Sequence, residues 1–178
     1  LAAMLRAFDC RVLAVDPALD AAECGRRGAA KVEMAELLRS SDVVSLHCPL
    51  DPTTRNSFGA DAFAAMRPGA VFVTTARGGI HDEAALFAAL ESGHLGGAGL
   101  DVWEREPPPA DAPLLRHPAV IASQHTAGVT HEGRSRIGVM AAEAFADAAA
   151  GRVPPRVVNP GAVASFTERL RRFVDGAA

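Results

Sequence analysis

Short apolar runs alternate with amphipathic segments along most of the chain. The runs are nearly continuous and partly β-branched, which is typical of strands buried on both faces of a parallel sheet. Five such strands are predicted, at Arg11–Val15, Asp42–His47, Ala70–Thr75, Gly97–Leu100 and Ala119–Ala122. Their alternation with helices predicts an α/β fold built on a doubly wound parallel sheet.

The segments between the runs carry apolar residues at helical spacing and end at polar residues or glycine. Helices are predicted at Leu1–Phe8, Ala21–Arg27, Met34–Arg39, Gly59–Met66, His81–Ser92, Thr130–Ala150 and Ser165–Val174, the last of them short, basic and amphipathic. Prolines disfavour helix at the residue before them. We therefore expect an irregular loop over Glu104–Pro113 and an extended crossing segment over Val153–Pro160.

Size and charge narrow the classes of protein. With 178 residues, 49% of them hydrophobic, the chain suits one domain with a sizeable core. A net charge of −3 gives no indication of nucleic acid or an anionic membrane as partner. No apolar run approaches the roughly 20 residues that span a bilayer, and no signal peptide is recognisable. Three widely spaced cysteines favour a reduced, cytoplasmic location.

The N-terminus departs from a complete nucleotide-binding pattern. Leu1 enters a helical segment with no capping residue before it, so we expect the natural beginning to be missing; processing or a cloning boundary are the alternatives. A strand and a G-x-G-x-x-G turn, whose amides bind a pyrophosphate, would precede this helix in a Rossmann-like domain. Both are absent, so we expect the isolated chain to be unstable or to aggregate. We predict a truncated cofactor-binding domain over 1–152.

Asp16 ends the first predicted strand, in the sequence VLAVDP (12–17). Ligands of doubly wound folds bind outside the carboxyl ends of the strands. An acid at this place can accept hydrogen bonds from the adenosine ribose and would repel a 2′-phosphate, which favours NAD over NADP. The alternative is a solvent-exposed aspartate that opens a turn before Pro17.

Three further residues follow strands and carry candidate chemistry: Arg77, Glu106 and His125. Arginine can bind a carboxylate bidentately, and histidine can move a proton near neutral pH. A carboxylate beside a histidine orients the ring and stabilises its charged form. Together they suit the interconversion of a 2-oxo and a 2-hydroxy acid with an external hydride carrier. Singly, each is more simply explained as a surface or loop residue, and no His, Cys and carboxylate set has metal-ligand spacing.

In this order, the motifs resemble the D-isomer-specific 2-hydroxyacid dehydrogenases, a family that includes phosphoglycerate dehydrogenase and glyoxylate/hydroxypyruvate reductases. The resemblance covers about 1–160 and rests on VLAVDP (12–17), SDVVSLHCPLDPTTRNSFG (41–59), MRPGAVFVTTARGGIHDEAAL (66–86), GHLGGAGLDVWEREPP (93–108) and HPAVIASQHTAGVT (117–130). It implies an NAD-dependent oxidoreductase for a small 2-hydroxy or 2-oxo acid, which usually pairs as a homodimer through its nucleotide-binding domain. It also implies that 153–178, a crossing segment and a C-terminal helix, belong to a lid domain that is otherwise absent.

The resemblance also implies residue roles. Arg77 matches the substrate-binding arginine, His125 the general acid/base, and Glu106 the carboxylate that hydrogen-bonds the histidine. Asp16 matches the ribose-binding acid. The other implied cofactor-binding positions, to which Arg77 and His125 also belong, are His47, Cys48, Pro49 and Thr54 beside the adenosine and its phosphates, Thr75, Ala76 and Asp101 beside the nicotinamide, and Thr126, Ala127 and Gly128 in the segment that closes over it.

Departures from the family pattern leave the substrate open. Threonine (Thr74 or Thr75) stands where the family usually has asparagine, and Gln124 replaces a proline before the histidine. Glu106 is glutamate rather than the glutamine of the formate dehydrogenase branch, which argues against formate. We expect Trp103 to pack under the catalytic loop, and a passive role for Cys48 and for the four histidines His81, His94, His117 and His131. The alternative function is a non-catalytic truncated product or association partner with the same fold.

Overall fold

The computed structural model describes residues 1–176, and the side chains of 1–172. Its helices are α1 (Ala2–Leu5), α2 (Ala21–Arg26), α3 (Met34–Ser40), α4 (Ala60–Ala65), α5 (Glu83–Glu91), α6 (Pro113–Arg116), α7 (His131–Ala149) and α8 (Val163–Gly176). Its strands are β1 (Leu13–Ala14), β2 (Ala30–Lys31), β3 (Val43–Leu46), β4 (Val71–Thr74), β5 (Gly97–Leu100) and β6 (Val120–Ala122). Single 3₁₀ turns lie at Arg6–Phe8 and Pro160–Ala162.

All pairings between the described strands are parallel. One ladder has the order β3-β4-β5-β6 and the other consists of β1 and β2. Helices connect the successive strands, because a parallel pairing needs a crossover. The fold is therefore the Rossmann-like α/β architecture that the sequence predicts. No hydrogen-bonded ladder joins β1 to β3 within residues 1–176.

An aromatic cluster under β4 forms the centre of the core. Phe72, fully buried on β4, lies 5.2 Å between ring centroids from both Phe58 and Phe63. Edge-to-face and tilted contacts at this distance are favourable for aromatic rings. Leu86 and Leu90 from α5 complete the cluster from the adjoining helix, so the core fixes the strand whose end carries Arg77.

The burial of the outer strands corrects one expectation. β5 is buried at Gly97, Ala98 and Leu100, as a two-sided strand should be. On β6, however, Ile121 is 81% exposed while Val120 packs against the core. β6 ends the strand order, so only one of its faces is covered within this ladder. The predicted burial on both faces is therefore wrong for this strand.

Two element predictions also need correction. The strand at Ala30–Lys31 is not predicted from the sequence, because two residues ending in lysine give no apolar run. Pro113, predicted to end the irregular loop, begins α6 instead. Proline fits there because the N–H that it lacks would have no helical partner at this position. The remaining predicted helices and strands are found with ends that shift by a few residues.

The chain divides into two compact units, Leu1–Ala127 and Gly128–Ala178. The second contains α7, which begins after Thr130, whose side chain accepts the Gly133 N–H at 3.0 Å. The proposed boundary at 152/153 and the lid assignment of 153–178 stay predictions. No helix in the described residues is long and apolar enough to cross a membrane.

Candidate active site

The candidate site lies where four parallel strands end side by side. Their last residues pair laterally in one row, which consists of Leu46, Thr74, Leu100 and Ala122. Each following loop therefore leaves the sheet at the same edge. In open α/β sheets this carboxyl edge is the place where ligands bind. The loops after β4, β5 and β6 carry Arg77, Glu106 and His125 respectively.

Glu106 and His125 form the central pair of this edge. The two atoms Nδ1 of His125 and Oε2 of Glu106 are 2.8 Å apart. The hydrogen bond from His125 lowers the pKa of Glu106, and the Trp103 backbone N–H, which donates to Oε1 at 3.1 Å, adds to the effect. An ionised carboxylate can only accept, so Nδ1 carries the shared proton and Nε2 is left for a substrate.

The turn that carries His125 is held by Asp101. The Asp101 carbonyl accepts the His125 N–H at 2.7 Å, and His125 has a left-handed backbone with φ of 55°. The Asp101 carboxylate accepts the Thr126 N–H at 2.8 Å and the Ala127 N–H at 3.0 Å. It also accepts the Ser123 hydroxyl at 2.5 Å. These bonds hold His125 in a conformation that non-glycine residues adopt only when their surroundings enforce it.

Asp101 is ionised in this arrangement. Burial by itself raises the pKa of its carboxyl, but the hydrogen bonds from Ser123, Ala127 and Thr126 outweigh it and leave the pKa lowered. The residue is 4% exposed. A carboxylate offers about four acceptor positions and three are occupied, so one remains on Oδ2. Asp101 can therefore hold the His125 turn and still accept one donor of a bound ligand.

Arg77 stands apart from the pair. It is exposed, and its Nη1 donates to the carbonyl of Ala76 at 2.6 Å. No hydrogen bond or ion pair joins its guanidinium to Glu106 or His125 in the part of the chain that the structure describes. Its neighbour Gly78 does approach the second loop: a Cβ at position 78 would lie 1.7 Å from the carbonyl oxygen of Trp103. The main chain after Arg77 thus packs against the loop that leads to Glu106.

The loop after β3 carries the residues that are expected beside the adenosine of the cofactor. Thr54 closes it by donating its hydroxyl to the Pro49 carbonyl at 2.7 Å. His47 is exposed with Nε2 at 3.0 Å from Ser45 Oγ, and Cys48 is half-buried. Asp16 follows β1 and accepts the Ala18 N–H at 2.8 Å. This bond belongs to a turn like that of the alternative interpretation, but Asp16 is half-buried rather than fully exposed, and its second carboxylate oxygen accepts no hydrogen bond among the described residues.

The other expected cofactor positions suit a dinucleotide in size and exposure. Thr75 is exposed and Ala76 is small and half-buried at the end of β4. Thr126, Ala127 and Gly128 are exposed, and the N–H groups of the first two are bonded to Asp101. An open strand edge with small residues and one free acceptor position on Asp101 fits the nicotinamide side of NAD. Among residues 1–172, no group of three or more His, Cys, Asp or Glu side chains is placed to hold a metal ion.

Several residues of this region were not identified from the sequence. His81, expected to be a passive loop or helix-end residue, is 1% exposed, pairs in a parallel bridge with Phe58, and has no hydrogen-bond partner for either ring nitrogen. Glu83 accepts the Glu104 N–H at 2.6 Å. The Trp103 indole N–H donates to the Ser123 carbonyl at 3.0 Å. Only Trp103 gave a signal, as a large aromatic residue between the strand end and Glu106.

Comparison with known proteins gives close matches over the same region. Glyoxylate/hydroxypyruvate reductase B of Citrobacter koseri is 44% identical over 128 residues, which are 72% of this chain and 40% of the relative. (S)-sulfolactate dehydrogenase of Chromohalobacter salexigens is 45% identical over 138 residues, which are 77% of this chain and 45% of the relative.

A solved structure has a similar fold. The D-lactate dehydrogenase of Aquifex aeolicus, crystallised with NAD and lactic acid, superposes with a TM-score of 0.73 at 29% identity and covers 82% of this chain and 49% of that chain. The chain thus spans less than half the length of each of these three proteins. The family profile described as D-isomer specific 2-hydroxyacid dehydrogenase, NAD binding domain, matches residues 1–127. The chain therefore belongs to the D-isomer specific 2-hydroxyacid dehydrogenase family, through the NAD binding domain of that family.

Proposed function

We propose that the protein acts as an NAD-dependent oxidoreductase that interconverts a small D-2-hydroxy acid and its 2-oxo acid. The observation that carries the proposal is the 2.8 Å contact between His125 Nδ1 and Glu106 Oε2 at the carboxyl edge of the sheet. Histidine oriented by a carboxylate is a recurrent general acid/base arrangement. The alternative, a non-catalytic truncated product or association partner with the same fold, is supported by no particular contact among the described residues.

Proton transfer is assigned to His125. Because Glu106 occupies Nδ1, the substrate oxygen meets Nε2. During reduction Nε2 gives its proton to the carbonyl oxygen of the 2-oxo acid, and during oxidation it takes the proton of the hydroxyl group. Glu106 keeps the ring in one orientation and stabilises the positive charge while both nitrogens are protonated. When bound, NADH would supply the hydride for the reduction, and NAD⁺ would accept it in the oxidation.

Substrate orientation is assigned to Arg77. Its exposed guanidinium can bind the substrate carboxylate through two parallel hydrogen bonds, which fixes the adjoining carbonyl in one plane. The relatives are named for glyoxylate, hydroxypyruvate and sulfolactate. Small 2-oxo acids of two or three carbons are therefore the first substrates to test, and the residues that select among them stay open.

We propose that the protein uses NAD rather than NADP as its cofactor. Asp16 follows β1, its carboxylate has one oxygen in the Ala18 turn, and the other can accept from the ribose hydroxyls. The nicotinamide side would be formed by Thr75, Ala76, Asp101 and the segment from His125 to Gly128, with His47, Cys48, Pro49 and Thr54 beside the adenosine and phosphates. Homodimerisation is part of the same proposal and rests on the family resemblance alone.

The test is His125→Ala, with NADH oxidation measured against glyoxylate, hydroxypyruvate and pyruvate. We expect turnover to fall by the roughly 10²–10⁴-fold that general acid–base catalysis contributes. His131→Ala, an exposed histidine at the start of α7, is the matched control and should keep its turnover. Near-normal turnover of His125→Ala would remove the basis of the proposed function.

A further inference from the structure

The segment that carries His125 has little packing to hold it. All residues from 121 to 127 are exposed, and Ile121 is 81% exposed. Rotamers and backbone conformations of exposed segments interconvert freely unless hydrogen bonds restrain them. The position of His125 must therefore come from the bonds that its segment makes to buried residues. Three residues supply them: Asp101, Trp103 and Leu100, whose carbonyl accepts the Ser123 N–H at 2.8 Å.

Trp103 is bonded to Glu106 and to the segment that carries His125. It is 3% exposed, so its atoms are fixed in the first unit. Its backbone N–H donates to Glu106 Oε1 at 3.1 Å, on the carboxylate oxygen that His125 does not use. Its indole Nε1–H donates to the Ser123 carbonyl at 3.0 Å, two residues before His125.

Trp103 also contacts the segment that carries Arg77, the residue proposed to bind the substrate carboxylate. Its carbonyl oxygen lies so close to Gly78 that a Cβ there would be 1.7 Å away. Glu83 strengthens the same junction by accepting the Glu104 N–H at 2.6 Å. One buried residue thus contacts the three loops that carry Arg77, Glu106 and His125.

We propose that Trp103 is a positioning residue for the proton-transfer pair, and that its indole N–H sets the place of His125 relative to Glu106. The inference rests on the proposed dehydrogenase function. Phenylalanine at this position would keep the buried aromatic packing and the backbone bond to Glu106 but would lose the bond to Ser123. A small displacement of a catalytic group lowers the rate of the chemical step much more than it lowers binding.

The variant Trp103→Phe isolates this bond. We expect kcat to fall about threefold to tenfold, in line with the loss of one neutral hydrogen bond. The dissociation constant of NADH should stay the same. In nuclear magnetic resonance spectra, the Nδ1 proton of His125 should exchange faster with water, because the ring is no longer held against Glu106.

His94→Phe is the matched control. It also removes one half-buried hydrogen bond from a side-chain nitrogen to a distant carbonyl, that of Phe63 at 3.1 Å, away from the strand edge. Both variants should lose similar stability in a thermal melt, but only Trp103→Phe should lose kcat and Nδ1 protection. Equal kcat per folded molecule in both variants would overturn the positioning role. A loss of activity in Trp103→Phe without faster Nδ1 exchange would overturn it as well.

The two proposals fail separately. If His125→Ala keeps its turnover, the dehydrogenase assignment is wrong whatever Trp103 does. If His125→Ala is inactive while Trp103→Phe matches the unmodified protein in kcat and in Nδ1 exchange, the function stands and the role of Trp103 is refuted.

Discussion

The carboxylate of Glu106 is shared between two donors of different kinds: the His125 ring at 2.8 Å and the Trp103 backbone N–H at 3.1 Å. Each carboxylate oxygen has its own partner, so the carboxylate plane cannot rotate without breaking one bond. The side chains of Glu106 and His125 are 38% and 42% exposed, which leaves the pair open to a ligand on its other side.

Glu106→Gln should lower kcat on the order of 10²-fold. The amide oxygen can still accept from His125, but it carries no charge to stabilise the protonated ring. The effect should be smaller than the roughly 10⁴-fold known for the aspartate of the serine protease triad, because Glu106 is partly exposed and water can replace part of its field. Steady-state kinetics with a small 2-oxo acid will measure it. An unchanged kcat would show that the carboxylate charge is not used.

Asp16→Ala should relax the choice of cofactor. Without the carboxylate, a 2′-phosphate no longer meets a negative charge at the end of β1, so kcat/KM with NADPH should rise relative to NADH by about tenfold. Asp20→Ala, which removes the aspartate that caps α2, is a control for lost charge and local stability. A ratio that changes equally in both variants would contradict the ribose role of Asp16.

Gly78→Ala should destabilise the first unit. The added methyl group would lie 1.7 Å from the Trp103 carbonyl oxygen. Because the atoms it meets belong to the main chain of Trp103 and Glu104, they cannot rotate away, and the two loops must separate. Overpacking of this kind costs about 1–3 kcal/mol. Gly25→Ala in α2 is the matched control, because a Cβ there meets nothing within 4 Å and should raise stability by about 0.5–1 kcal/mol. Urea unfolding should give a lower free energy of unfolding for Gly78→Ala and a higher one for Gly25→Ala than for the unmodified protein. A change of the same sign in both variants would contradict the close contact.

His81 should make the folded state sensitive to mild acid. Burial lowers the pKa of His81 to about 4, against a smaller opposing effect of Asp82. Between about pH 6.5 and pH 4 the unfolded chain therefore binds a proton that the folded chain does not, so stability falls as pH falls through this range. From about pH 7.5 to about pH 5, the loss attributable to this residue is about 2 kcal/mol.

The measurement is urea unfolding of the unmodified protein and of His81→Val at the two pH values. Valine fills much of the space beside Phe72 and does not titrate. On acidification, the free energy of unfolding of the variant should therefore fall by about 2 kcal/mol less than that of the unmodified protein. Identical pH dependence in both proteins would show that His81 is protonated without cost in the folded state.

The sequence was sufficient for features with a local cause. β4 could be located because its apolar run is flanked by a Pro-Gly turn and by Arg77. The same pattern placed Glu106 and His125 after neighbouring strands, and parallel pairing then brings their loops to one edge. The meeting of these two residues across 19 positions follows from topology rather than from any local motif.

Features that depend on tertiary contacts could not be predicted. β2 is two residues long and exists because Ala30 and Lys31 pair with β1. His81 lies two residues after Gly79 and directly before Asp82, a context that is typical of an exposed turn, but the structure buries its ring beside Phe72. The partner of the Trp103 indole N–H was equally hidden, because no sequence rule connects it to a carbonyl 20 positions away.

The bonds from Asp101 to the segment that holds His125 have a consequence for the order of folding. Its carboxylate reaches residues 22, 25 and 26 positions further along the chain, so none of these bonds can form before β5 and β6 have met. Contacts of such separation form late, because the entropy of closing the intervening chain must first be offset. We expect His125 to reach its native position among the last events of folding, so that a partly folded chain has the carboxyl edge of its sheet before Glu106 and His125 have paired.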